Sequence, residues 1–165
     1  MPKILVIEDN NLIRETVLEL LESRGFEAVG AENGQVGIEL AIAQIPDLIL
    51  SDVMMPELNG FEVFAILRSY PATASIPFIF MTASEMEKAI ELKADGYLKK
   101  PCSATEMFRA IATQLENRKL ATQNIKNYRT ILRHKIPASA PGIKNLGWRL
   151  RRFARNDAHS NVIHT

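Results

Sequence analysis

Five short apolar runs alternate with five stretches of helical spacing over residues 3–117, and this alternation constrains the fold more than any other feature. The runs begin at Lys3, Phe26, Leu48, Ile76 and Gly96. Apolar runs of strand length that alternate with helices are typical of a parallel sheet that is buried on both faces. Because parallel strands are joined by right-handed crossovers, helices are expected on both faces of the sheet. The sequence therefore predicts a doubly wound α/β domain.

Cap and turn residues separate these elements. Asn10 and Asn11 are suited to cap a first helix, because an Asn side chain accepts the unpaired N–H groups of the first turn. Gly25 is suited to end that helix in the left-handed conformation that glycine adopts without penalty. The predicted helices are Leu12–Ser23, one that ends before Pro46, Gly60–Tyr70, a short one over roughly Glu85–Lys93, and a fifth capped by Ser103.

Charge divides the 165-residue chain into two parts. Residues 1–116 contain 9 Lys and Arg against 18 Asp and Glu, a net charge of −9. Residues 117–165 contain 11 against 1, a net charge of +10. A split of this kind marks a change of role along a chain. We therefore expect one domain over residues 1–117 and a basic C-terminal extension over residues 118–165.

The composition indicates an ordinary globular protein in a reducing compartment. The hydrophobic fraction is 47%, and no apolar run approaches the length that crosses a membrane. The first residues lead directly into a strand and lack the layout of a signal peptide. Cys102 is the single cysteine and has no partner for an internal disulfide. A cytoplasmic location is the expectation.

Polar residues follow four of the predicted strands. Glu8 and Asp9 end the first, Asp52 the third and Thr82 the fourth, and Lys100 follows the fifth. Parallel strands share their carboxyl ends, so these side chains are expected at one edge of the sheet, where open α/β sheets bind ligands. Three carboxylates there repel one another unless they share a cation, and Mg²⁺ prefers such oxygen ligands. Lys100 and Thr82 suit the oxygens of a phosphoryl group.

Each of these residues also has an ordinary structural reading. Asp52 is the kind of residue that turns favour, and Glu8 and Asp9 are suited to the positive end of a helix dipole. Thr82 and Lys100 taken singly are an ordinary strand residue and a solvated lysine. Because polar residues of this kind follow all four strands, one shared site is favoured over these separate readings.

Residues 3–117, about seventy per cent of the chain, resemble the receiver domain of two-component response regulators. The matching motifs are Val6–Asn10, Ile49–Pro56, Gly60–Glu62, Met81–Ala83 and Gly96–Pro101. The resemblance implies a flavodoxin-like, five-stranded parallel sheet of order 2-1-3-4-5. It also implies a signalling protein that catalyses only its own phosphorylation and dephosphorylation, rather than an enzyme with other substrates.

The resemblance assigns the phosphoryl and metal sites. Asp52 is implied to be the phosphoacceptor, taking its phosphoryl group from a phosphohistidine on a sensor histidine kinase or phosphotransfer protein. Glu8, Asp9, Asp52 and the backbone carbonyl of Met54 are implied to hold Mg²⁺. A small Mg²⁺-dependent phosphatase is an alternative from another class, although no apolar substrate pocket is indicated.

The resemblance also implies a switch that passes the signal to a downstream protein. Thr82 and Lys100 are implied to bind the phosphoryl group, and Tyr97 to turn inward when Thr82 moves. This chain departs from the family in two places. Thr82 and Lys100 are 18 positions apart, about one helical turn fewer than is usual, and Cys102 stands where an aromatic residue is common.

Beyond residue 117 the resemblance ends, and no output domain is recognised. Apolar residues at helical spacing predict that the fifth helix continues until the prolines at 137 and 141, and a short basic amphipathic helix follows. Five readings of this extension stay open: contact with nucleic acid, contact with an anionic membrane, pairing with a second copy or a partner protein, docking on the acidic domain, and a poorly ordered segment. A nucleic-acid-binding regulator with this tail as its effector is the alternative function.

Overall fold

The strands of the computed structural model, which describes residues 1–84 and 86–135, form one parallel sheet. Within those residues the sheet has five strands in the order β2-β1-β3-β4-β5. Every neighbouring pair is parallel. The predicted fold class and strand order are confirmed.

Strands and helices alternate strictly along the described residues. The strands are β1 (Lys3–Ile7), β2 (Glu27–Ala31), β3 (Leu48–Asp52), β4 (Phe78–Thr82) and β5 (Gly96–Lys99). The helices are α1 (Asn11–Ser23), α2 (Gly34–Gln44), α3 (Gly60–Ser69), α4 (Met86–Glu91) and α5 (Ala104–Lys135).

The core lies on both faces of the sheet, as the apolar runs predict. One face packs against α2, α3 and α4, and its buried side chains include Ile7, Ile38, Phe64, Phe80 and Ala89. The other face packs against α1 and α5, and its buried side chains include Val6, Leu21, Leu50, Met107 and Ile111. Successive strand residues point to opposite faces, so a run that is buried on both sides must be continuously apolar. All five residues of β3 are buried.

Local signals in the sequence set the helix ends. Asn10 caps α1, with its side chain accepting the backbone N–H of Ile13 at 3.1 Å. Gly25 follows the end of α1 with φ +79°, a conformation that L side chains rarely adopt. Ser103 and Glu106 form reciprocal hydrogen bonds at the start of α5.

The start of β4 and the end of α4 each lie two residues from the predicted bound. β4 begins at Phe78 rather than Ile76, because Pro77 has no N–H to donate to a neighbouring strand; its carbonyl accepts from Ile49 instead, at 2.9 Å. Ile76 is nevertheless buried, which explains its apolar character. α4 has six residues, Met86–Glu91. The short interval between Thr82 and Lys100 leaves little chain for this helix.

The fifth helix continues to Lys135, which confirms the predicted helical extension up to that residue. The chain divides into two compact units, the first Met1–Leu115 and the second starting at Glu116. The predicted basic helix after residue 142 lies outside the described residues. Among the described helices, none combines the length and the hydropathy needed to span a membrane.

Candidate functional site

Asp52 lies at the carboxyl end of the central strand, where the sequence places it. Its side chain is almost completely buried, and the residue pairs with Met81 of β4 in the sheet register. Its Oδ1 accepts hydrogen bonds from the backbone N–H of Val53 and, at 2.9 Å, from the ammonium of Lys100. Its Oδ2 has no hydrogen-bond partner among the described residues. One oxygen is therefore fixed and the other is available.

Lys100 joins two carboxylates. Its Nζ lies 2.9 Å from Glu8 Oε2 and 2.9 Å from Asp52 Oδ1. Burial by itself would lower the pKa of Lys100, but its hydrogen bonds to Glu8 and Asp52 outweigh burial and raise this pKa above its ordinary value. The ammonium therefore stays protonated at neutral pH. The Lys100–Pro101 peptide bond is cis.

Glu8 is the most buried acid of the site, with 1% of its surface exposed. Its Oε1 accepts the backbone N–H of Asn10, and its Oε2 meets Lys100. Burial raises the pKa of Glu8 above its ordinary value; the hydrogen bond from Lys100 opposes the rise and the charge of Asp52 adds to it. Repulsion from Asp52 therefore raises the pKa of Glu8 less than burial does.

Three carboxylates converge at this edge, and they fit a hard divalent cation. One oxygen each from Glu8, Asp9 and Asp52 lies within 4.8 Å of the others. The set contains only oxygen donors, which suits Mg²⁺ and not the nitrogen and sulfur preferences of zinc. Asp9 is exposed, so this side of the cluster opens to solvent. The contribution of the Met54 carbonyl stays a prediction.

Thr82 and Tyr97 lie on the same face of the sheet. Thr82 ends β4 and is 1% exposed, while Tyr97 of β5 pairs with Phe80 and is 43% exposed. Since residues two apart on a strand share a face, Phe80, Thr82 and Tyr97 are on the side that carries α3 and α4. The Thr82 carbonyl accepts the backbone N–H of Lys100 at 2.8 Å. The switch roles of Thr82 and Tyr97 stay predictions.

Two residues that contact the backbone of the site were not singled out by sequence reasoning. A Cβ on Gly60 would lie 2.2 Å from the backbone oxygen of Asp52, so only glycine allows this approach. Arg14 donates to the carbonyl of Glu8 at 2.8 Å. The glycine belongs to a recognised motif, whereas nothing in the local pattern of α1 distinguishes Arg14 from a surface arginine.

Known proteins resemble this chain in sequence and in structure. The response regulator receiver domain family matches residues 4–112. The polar-differentiation response regulator DivK of Brucella anthropi is 33% identical over 120 residues, which are 70% of this chain and 98% of DivK. A crystal structure of a response regulator receiver domain protein from Clostridium thermocellum has a TM-score of 0.69 and 28% identity, and covers 73% of this chain and 98% of that one.

Some relatives are longer than this chain. The probable transcriptional regulator ycf29 of Pyropia yezoensis is 33% identical over 141 residues, which are 81% of this chain and 64% of that regulator. The chain spans about half the length of two further transcriptional regulators that it matches.

Proposed function

This chain belongs to the response regulator receiver domain family, and on that premise we propose that it accepts a phosphoryl group on Asp52. The family is a signalling family whose receiver domains interact with histidine kinases and downstream effectors. The observation that supports Asp52 most directly is the asymmetry of its carboxylate. Oδ1 is held by Val53 and Lys100, and Oδ2 has no partner among the described residues.

Oδ2 of Asp52 is the proposed nucleophile. It attacks the phosphorus atom of a phosphohistidine, a new O–P bond forms, and the N–P bond breaks with its electron pair passing to the imidazole. An ordinary aspartate is already ionised at neutral pH, so no general base is required. Phosphoryl transfer depends chiefly on positioning and on neutralisation of charge.

The surrounding groups supply that neutralisation. Lys100 already lies against Asp52 Oδ1, so its ammonium is placed to meet a phosphoryl oxygen after transfer. Thr82 ends the adjacent strand, and we assign its hydroxyl to another phosphoryl oxygen. Receiver domains of this family bind Mg²⁺, and here Glu8, Asp9 and Asp52 would hold it, with the Met54 carbonyl as a further ligand. When bound, the ion would supply positive charge that offsets the negative charge of the phosphoryl group.

The proposed output is a change of protein surface. A dianion on Asp52 would draw Thr82 toward it, and Tyr97 would turn inward from its exposed position. Both side chains are on the face that carries α4, so that face is the proposed surface for a downstream protein or a second copy of this chain. We propose a cytoplasmic location and a sensor histidine kinase or phosphotransfer protein as the phosphoryl donor.

Labelling with a small phosphoryl donor tests the proposal. Acetyl phosphate with Mg²⁺ should phosphorylate the wild type, and Asp52→Asn should abolish labelling because the nucleophilic oxygen is lost. Asp47→Asn is the matched control, since Asp47 lies before the same strand at its other end, with its Oδ2 accepting from the backbone N–H of Lys3. Equal labelling of the wild type and Asp52→Asn would refute the proposal.

A basic extension over residues 118–165 is the proposed second part of the chain, and its charge favours one alternative function. The net charge of +10 after residue 116, together with relatives that are transcriptional regulators, suits a nucleic-acid effector. Fluorescence titration with duplex DNA across a range of salt tests this. Affinity that falls steeply as salt rises would support phosphate contacts, and no binding at low salt would exclude them.

A further inference from the structure

Arg14 connects α1 to the peptide that joins the two acids at the end of β1. Its Nη1 donates to the backbone carbonyl of Glu8 at 2.8 Å, and its Nη2 donates to Asn11 Oδ1 at 2.6 Å. The carbonyl of Glu8 belongs to the peptide unit that leads into Asp9. Because a peptide unit is planar, holding this carbonyl sets the direction in which the chain enters Asp9.

Asp9 depends on that backbone for its position. Its carboxylate is exposed and has no hydrogen-bond partner among residues 1–84 and 86–135, whereas Glu8 is buried and bound by Lys100 and Asn10. The N–H of Glu8 is held by the carbonyl of Ala31 at 3.1 Å. Arg14 therefore holds the carbonyl side of Glu8. The next residue is Asp9, whose carboxylate has no hydrogen bond among the described residues.

Gly30 provides the space through which Arg14 reaches the carbonyl. A Cβ on Gly30 would lie 3.2 Å from Cδ and 3.4 Å from Cγ of Arg14, and 2.9 Å from Cδ1 of Leu18. An alanine there would require these side chains to shift. Gly30 of β2 therefore leaves room for the side chain of Arg14 to reach the carbonyl of Glu8.

We propose that Arg14 is a positioning residue for Mg²⁺, which it aids by fixing the Glu8–Asp9 peptide unit; this rests on the proposed function of the site. A guanidinium near an acidic cluster also repels a cation, so the two effects have opposite signs. Removing the charge alone would tighten Mg²⁺ binding, whereas losing the support would weaken it. Outer residues that orient metal ligands typically affect affinity by about 10- to 100-fold. We therefore expect the loss of support to outweigh the loss of repulsion, so that Mg²⁺ affinity falls when Arg14 is removed.

Calorimetric titration of the full chain with Mg²⁺, without a phosphoryl donor, tests the proposal. Arg14→Met keeps the aliphatic stem and removes both hydrogen bonds, and we expect Mg²⁺ affinity to fall by about 10-fold. Arg14→Lys keeps the charge and one donor and should give an intermediate affinity. Gly30→Ala should weaken binding through the same contact. Thermal melts of each variant identify any that are unfolded, in which case the remaining variants decide.

The controls separate this proposal from the proposed function. Arg24→Met makes the same substitution next to the other end of α1, where the guanidinium lies 4.6 Å from the ring centroid of Phe108, and should leave Mg²⁺ affinity unchanged. Asp9→Asn should abolish Mg²⁺ binding. If the wild type does not bind Mg²⁺, the proposed metal site fails. If the wild type binds, Asp9→Asn does not, and the folded variants at Arg14 bind as tightly as the wild type or more tightly, only the role of Arg14 is overturned.

A kinetic measurement distinguishes positioning from general damage. If Arg14 acts through the metal, saturating Mg²⁺ should return the acetyl phosphate labelling rate of Arg14→Met to the wild-type value. A labelling defect that persists at saturating Mg²⁺ would contradict the proposal.

Discussion

The ammonium of Lys100 bridges Glu8 and Asp52, at 2.9 Å from one oxygen of each carboxylate. One cation thus holds together groups from the ends of β1 and β3. Because Glu8 is buried, loss of the ammonium would leave its charge uncompensated next to that of Asp52.

Replacing Lys100 with Met should leave these carboxylates facing each other without compensation. We expect the free energy of unfolding in Mg²⁺-free buffer to fall by about 2 kcal/mol, less than for a fully buried pair because Lys100 is partly exposed. Added Mg²⁺ should stabilise the variant more than the wild type, since a cation would replace the ammonium. Urea unfolding with and without Mg²⁺ measures both effects. Lys99→Met is the control, and an equal loss in that variant would contradict the prediction.

Replacing Gly60 with Ala should displace the end of β3. The new Cβ would lie 2.2 Å from the backbone oxygen of Asp52, so the strand end must move. Forced overpacking costs about 1–3 kcal/mol, and labelling of Asp52 should fall with the displacement. Gly25→Ala is the matched control. It has φ +79° and no neighbour within 4 Å, so it should cost about 1 kcal/mol and leave labelling unchanged.

The cap of α5 should give the stability a pH dependence. The backbone N–H and the hydroxyl of Ser103 donate to Glu106 Oε2 at 2.7 and 2.8 Å, and these bonds lower the pKa of Glu106 from its ordinary value of 4.5. A depressed pKa in the folded state gives stability that is full above the unfolded pKa and is lost as pH falls through the folded value. Glu106→Gln should therefore be less stable than the wild type at pH 7, and the difference should shrink below pH 4.5.

Thermal melts across this pH range measure that difference. A Ser103→Ala background removes the hydroxyl half of the cap, so Glu106→Gln should show a smaller pH dependence there. A difference that is constant with pH would show that the carboxylate charge does not matter to the cap.

Asp95 should affect stability without affecting the site. Its Oδ2 accepts from Arg68 and from the backbone N–H of Phe78, and it precedes β5, at the edge of the sheet away from Asp52. Asp95→Ala removes an acceptor for a buried N–H and should cost about 2 kcal/mol. Chemical unfolding measures this cost, and Mg²⁺ affinity should be unchanged. Exposed Glu91→Ala is the control and should change stability by less than about 0.5 kcal/mol.

Much of the fold is readable from local patterns. β1 is predicted residue for residue because its apolar run follows Pro2 and is ended by Glu8 and Asp9. α1 and α2 begin where Asn10 and Asn33 supply caps. The predicted start of β4 is wrong by two residues, because Ile76 is buried without belonging to the sheet. The apolar character of a residue shows that it is buried and does not show whether it lies in a strand.

The site, like the fold, is only partly predictable from the sequence. The edge at which Glu8, Asp52, Thr82 and Lys100 meet follows from parallel strands sharing their carboxyl ends. The contacts between them do not, since the bridge by Lys100 joins residues 92 positions apart. The hydrogen bond from Arg14 to the carbonyl of Glu8 could not be predicted either, because an arginine on a helix is ordinarily a surface residue.

The sequence by itself determined the doubly wound fold and the edge at which the polar strand ends converge, because strand alternation, helical spacing and caps are local properties of the chain. Only the tertiary structure decided that Lys100 bridges Glu8 and Asp52, that one oxygen of Asp52 is left available, and that Gly60 and Arg14 hold the strand ends in place. These depend on distances of a few ångströms between residues far apart in the chain, and the packing of the sheet and helices sets those distances.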